Sequence, residues 1–159
     1  MSMHKQKLDW CLAKETRMKK VKPNDKLSEE HINKAKHNLR AADYNIKGGF
    51  SDWGVSQSYY AMYHALLAVL FKLGYESKNH KCTINAVEYF IEERKIRLDL
   101  KDIAFIRTTE QMTSKDAKSL REEFQYGTET SVNEKLLREL LEHAKSVVEK
   151  VEIALSELS

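Results

Sequence analysis

Four groups of side chains in this sequence have types and spacings suited to chemistry. Tyr59, Tyr60, Tyr63 and His64 fall within six residues. Tyr60 and His64 are four apart, so on a helix they share a face. A ring and an imidazole on one face can stack a base and contact a phosphate. The plainer alternative is a set of core tyrosines whose hydroxyls reach an edge, with His64 satisfied by a buried hydrogen bond. Arg121 and Gln125 are also four apart and precede Tyr126. An arginine there can hold phosphate bidentately, or it can simply be a solvated helix end. Arg138 and His143 frame the run RELLEH. Five positions on a helix turn them about 140° apart, so one helix does not easily bring both to one phosphate. His80 and Cys82, with His64, are the nearest approach to a metal pair. A zinc site needs three or four ligands, and Cys82 reads more simply as a small buried hydrophobe, so no metal site is expected.

These groups depend on helices to position them. Only one proline and five glycines interrupt 159 residues, too few for the turns of a sandwich or barrel. A weak helix is expected from about Lys5 to Lys20, ended by Lys22-Pro23-Asn24-Asp25. Ser28 should cap the first firm helix, whose stripe is Ile32, Ala35, Leu39, Ala42 and Ile46. After Gly48-Gly49 a second helix runs from Ser51 or Asp52 to Leu73. It is apolar nearly all round, as befits the centre of a bundle or an oligomer interface. A third helix is expected over Cys82–Arg94 and a less regular piece over Ile96–Gln111. A short helix should run from Thr113 or Ser114 to Phe124, and a long final one carries Leu136, Leu137, Leu140, Leu141, Ala144, Val147, Val148 and Val151. The fold class is therefore all-α: an up-and-down four-helix bundle with additional short helices. The expected division is a basic leader, 1–26, and a bundle, 27–159.

Charge and cysteine usage narrow the setting. Met1 to Lys26 holds eight lysines or arginines against three acids, whereas Thr128 to Ser159 holds four against seven. A basic arm of this kind attracts nucleic acid or an acidic partner, or is only a solvated leader. No apolar run is long enough to span a bilayer, and Cys11 and Cys82 form no disulfide framework. The expectation is a cytoplasmic protein with reduced thiols and no membrane partner. Phosphate-cradling glycine loops, paired-cysteine zinc spacings and GxSxG elbows are absent from the sequence.

The run Ser58-Tyr59-Tyr60-Ala61-Met62-Tyr63-His64-Ala65 resembles the HEPN superfamily, and within it the UPF0332-like branch. The likeness continues through Ala68–Leu70, Gly74, His80, and Arg121 with Gln125-Tyr126, and covers about Ser28 to Ser156. It implies a HEPN-like bundle and two functional classes. Some members are metal-independent ribonucleases, often toxins, with an R-x(4–6)-H motif near a dimer groove. Others bind nucleotides or nucleic acid beside a minimal nucleotidyltransferase. This chain departs from the nuclease pattern after Arg121, where EEFQYG supplies no histidine. Gln125 stands near that place, and an amide does not titrate usefully.

The leading expectation is a nucleotide- or RNA-binding homodimer working with a nucleotidyltransferase in a toxin–antitoxin type of pair. Tyr60, His64, Arg121 and Tyr126 would make its contacts. The first alternative is a metal-independent ribonuclease drawing on Arg121, His64, His80, Arg138 and His143. The second is a non-catalytic interaction module. None of the three calls for a cofactor.

Overall fold

The computed structural model describes residues 2–109 and 134–158. The expected helix over 113–124 lies outside them, as do Arg121, Gln125 and Tyr126.

Helix α1, Met3–Leu12, is capped by Ser2, whose Oγ accepts from the Lys5 amide at 3.1 Å. It stops well short of Lys20. Met18–Lys20 instead forms a strand, β1, antiparallel to β2, Tyr75–Ser77. This small ladder is a feature that periodicity does not announce, because three residues are too few to show alternation.

Helix α2 spans Asp25–Lys47, and its cap is Asn24 rather than Ser28. Asn24 Oδ1 accepts from the Leu27 amide at 2.9 Å. Ser28 is buried one turn inside, where its hydroxyl donates to the Ala68 carbonyl at 2.8 Å. Both residues are good caps, and the one directly after Pro23 takes the role. The expected stripe Ile32, Ala35, Leu39, Ala42 and Ile46 is buried throughout.

A single 3₁₀ turn, Ser51–Trp53, leads into α3, Gly54–Leu73. Alanines 61, 65 and 68 of α3 are fully buried, as are Ala35 and Ala42 of α2. Small residues at a seam let two helices approach closely, and among the described residues α2 packs more extensively against α3 than any other pair of elements does. Gly74 ends α3 in the left-handed region (φ 93°). A Cβ there would meet the Val21 carbonyl oxygen at 2.9 Å, so glycine is needed for space as well as conformation.

Helix α4, His80–Glu92, is capped by Asn79. A helix over residues 100–109, here α5, buries Ile103 and Ile106. Helix α6, Glu134–Ser156, lays Leu137, Leu141, Ala144, Val147, Val148, Val151 and Ala154 against α3 and α2. The outcome is a mostly helical bundle with α3 at its centre.

Helix α1 packs along α4 and is covalently joined to it by a Cys11–Cys82 disulfide. This corrects the expectation of reduced thiols. Docking α1 on α4 brings the two Cα atoms to 5.8 Å across 71 positions of sequence, well inside bridging range. Among the described residues, no helix is long and apolar enough to cross a membrane.

Candidate functional site

Helix α3 carries two aromatic groupings on either side of Tyr63. On one side, His80 stacks face to face on Tyr63, with ring centroids 4.0 Å apart. Its Nδ1 lies 2.6 Å from the Tyr59 hydroxyl. Tyr60 meets His80 edge-on at 6.4 Å and stays 46% exposed, whereas Tyr59 and Tyr63 are buried. The Tyr63 hydroxyl bonds Thr83 Oγ1 at 3.2 Å. Burial raises the pKa of Tyr63, so its phenol stays neutral. The β2–α4 turn builds this grouping. Asn79 caps α4 so that His80 opens the helix against α3.

On the other side, His64 lies against His31 of α2, with Nδ1 to Nδ1 at 3.0 Å. His31 stacks in turn on Phe71. Burial lowers the pKa of both rings. His64, which also faces His31 and Lys34, falls to about 4. Near neutrality the pair is uncharged, one Nδ1–H donating to the other Nδ1, so any contact His64 makes with a ligand runs through Nε2. Tyr60 and His64, though one helical turn apart, send their rings to different neighbours.

His143, on α6, occupies a third place. Its ring stacks on Phe105 of α5 at 3.7 Å and 5°. Its Nε2 lies 3.5 Å from Asp102 Oδ1, and Lys150 Nζ holds the other carboxylate oxygen at 3.3 Å. Asp102 is buried and the His143 side chain is 42% exposed. Arg138 is exposed on α6, where it lines an open surface hollow with Lys135, Glu139 and Glu142.

The structure thus brings Tyr60 and His80 together and sets His64, His143 and Arg138 at separate positions. Arg121 and Tyr126 lie outside the described residues. Sequence reasoning missed His31, Asp102 and Phe105. Each belongs to a helix other than that of the histidine it serves, so no local spacing joins them. Among the described residues, no group of three or more His, Cys, Asp or Glu is placed to hold a metal ion. Cys82, the neighbour of His80 in the expected nearest approach to a metal pair, has its sulfur committed to Cys11.

Two comparisons bear on this arrangement. The pattern of the HEPN domain matches residues 28–154, which takes in α2 through nearly all of α6. A UPF0332 protein of Archaeoglobus fulgidus is 32% identical over 128 residues, 80% of this chain and 94% of that protein. With the family pattern spanning most of the bundle, and a relative of this identity covering nearly its own full length, the chain belongs to the HEPN domain family.

Proposed function

We propose that the chain is a metal-independent ribonuclease in which His143 is the general base. The observation that carries this reading is the fixed imidazole of His143. It lies flat on Phe105 with Nε2 3.5 Å from Asp102 Oδ1, yet is open to solvent. A base oriented by a third group is the arrangement that proton abstraction requires. In this proposal the nitrogen near Asp102, Nε2, carries the ring proton, and Nδ1 supplies the lone pair. That nitrogen takes the proton of a ribose 2′-hydroxyl, whose oxygen attacks the adjacent phosphorus. The bond to the 5′-oxygen breaks as that oxygen takes a proton from solvent water, leaving a 2′,3′-cyclic phosphate and a 5′-hydroxyl, and His143 returns its proton to solvent. A cation must balance charge at the crowded phosphorus. Arg138 completes the R-x(4)-H spacing with His143, but the two point apart on one helix. The reading therefore assigns this role to Arg121, or to Arg138 across a homodimer.

The test is incubation of RNA with the pure protein in excess chelator. Cleavage should yield cyclic phosphate ends, and His143→Ala should lower the rate by about 10²–10⁴-fold. Cleavage that survives His143→Ala at the wild-type rate would refute the assignment, and inert wild-type protein would refute the activity.

A second reading, a nucleotide- or RNA-binding protein, is favoured by the exposed Tyr60 ring beside His80. There a base can stack; the further contacts this reading proposes are His64, which lies elsewhere on α3, and Arg121 and Tyr126, which lie outside the described residues. Calorimetric titration with nucleotides should give heat that Tyr60→Ala abolishes. In either reading the proposed setting is cytoplasmic, with a nucleotidyltransferase-type partner in a toxin–antitoxin type of pair. Co-purification of that partner with the tagged chain checks it.

A further inference from the structure

The family pattern begins at residue 28, so α1 and β1 are features of this chain outside it. They are docked in one orientation. His4, near the start of α1, reaches Glu88 and Glu92 toward the end of α4, while Cys11 is bonded to Cys82 at its beginning. The end of α1 that carries Trp10 therefore sits at the same end of α4 as Lys81 and the His80–Tyr63 stack.

The turn after α1 folds back on this corner. The Arg17 guanidinium lies 3.4 Å over the Trp10 ring, and its Nη1 donates to the Trp10 carbonyl at 2.9 Å. The Lys78 amide donates to the Arg17 carbonyl at 2.9 Å, which brings the β2–α4 turn alongside. Trp10 remains 55% exposed with Arg17 against it. Lys14, Lys20, Lys78 and Lys81 are all exposed. The ion pairs nearby are made by Lys5, Lys19 and Lys72. Among the described residues those four lysines have no carboxylate within ion-pair distance. Asp9, Asp25 and Glu76 are already paired, which leaves Glu15 as the acid on the turn itself.

We propose that this corner is a binding surface for single-stranded RNA, with phosphates on Lys14, Arg17, Lys20, Lys78 and Lys81 and a base stacked on Trp10. Four exposed lysines on this turn and the neighbouring β2–α4 turn, beside a half-exposed indole that Arg17 covers on one face only, fit a single-stranded backbone with splayed bases. An acidic polypeptide would use the charge and leave the indole face without a role. The proposal rests on the ribonuclease reading for the identity of the ligand, and names where that substrate is held outside the family's own bundle.

The probe is a fluorescent short 2′-O-methyl oligouridine, which lacks the attacking hydroxyl and so reports binding without cleavage. Anisotropy is measured on the full oxidised chain between about 50 and 200 mM salt. The triple variant Lys14→Glu/Lys78→Glu/Lys81→Glu should weaken binding at least about tenfold and reduce the salt slope by about 2, near 0.7 for each lost phosphate contact. Trp10→Ala should weaken binding by about tenfold with little change of slope. These side chains are exposed, and unchanged circular dichroism confirms the fold. The single variant Lys78→Glu gives a milder second reading. Wild-type and triple variant binding alike, weakly or tightly, would overturn the proposal. So would competition by polyglutamate as effective as that by RNA, which would mark an acidic-protein surface. Binding that the variants weaken, with ordinary RNA left uncut, would end the nuclease reading and leave this surface standing. Cleavage together with unchanged variant binding would do the reverse.

Discussion

Two imidazoles placed Nδ1 to Nδ1 at 3.0 Å share a single proton comfortably and resist a second charge. Both His31 and His64 have folded-state pKa values below the ordinary 6.5, and that of His64 is about 4. The unfolded chain therefore binds more protons than the folded one between about pH 6.5 and 4, and stability rises with pH across that window. The contribution is fully present above pH 6.5 and is lost as pH falls through the folded value. It should be of the order of 1 kcal/mol once solvent screening of these partly buried rings is allowed for. Urea midpoints measured from pH 7 to pH 4 should fall more steeply for the wild type than for His64→Gln. Equal slopes would show that the pair does not titrate as described. At the same scale, Ser28→Ala removes a buried hydroxyl that donates to Ala68 across the α2–α3 seam. It should cost about 1 kcal/mol by denaturant titration. An N-cap role for Ser28 would instead make Asn24→Ala harmless, whereas Asn24 should show the usual capping loss of about 1 kcal/mol.

At the scale of elements, Gly74 is where the bundle and the N-terminal arm meet. Gly74→Ala must hold an L side chain at φ 93° and press its Cβ to 2.9 Å from the Val21 oxygen. The Val21 amide meanwhile donates to the Gly74 carbonyl at 2.9 Å. The left-handed conformation alone costs roughly 1–2 kcal/mol. A thermal midpoint unchanged by the substitution would mean that the corner relaxes freely. This glycine was legible in the sequence as a stop signal, as were the buried stripes of α2 and α6, because hydrophobic periodicity over five or six turns is a local property. The placement of β1 against β2, and of α1 along α4, is not local. It rests on pairings more than fifty residues apart, between stretches too short or too polar to show a period. The site divides along the same line. Tyr60 and His80 were identifiable by residue type and loop position, while the Asp102 and Phe105 that fix His143 come from a helix whose pattern was indistinct. Tyr60 and His64 share a helical face by spacing yet meet different neighbours, because spacing sets where a Cβ points, whereas a ring turns toward whatever it can stack on.

At the scale of the whole molecule, the Cys11–Cys82 bond makes the arm and the bundle one folding unit. It closes 71 positions of chain, taking in α2 and α3 entirely. Cross-linking a loop of that length removes unfolded-state entropy equivalent to about 4 kcal/mol, the upper range for one disulfide. The arm has other holds. Leu8 and Met18 are buried, the β1–β2 ladder forms, and His4 engages Glu88 and Glu92. Reduction should therefore weaken the fold without abolishing it. In a reducing compartment, where such bonds seldom persist, the arm would be retained by those contacts alone. The expected outcome is a urea midpoint that drops on adding reductant to the wild type, matching a Cys11→Ser variant that reductant no longer affects. Amide exchange should accelerate first in α1 and β1, since contacts along one helix and a three-residue ladder open at lower cost than the α2–α3–α6 core. Superimposable exchange in the two redox states would mean that packing, not the covalent bond, sets the stability of the arm. The RNA-binding corner would then keep its shape whether or not the cysteines are joined.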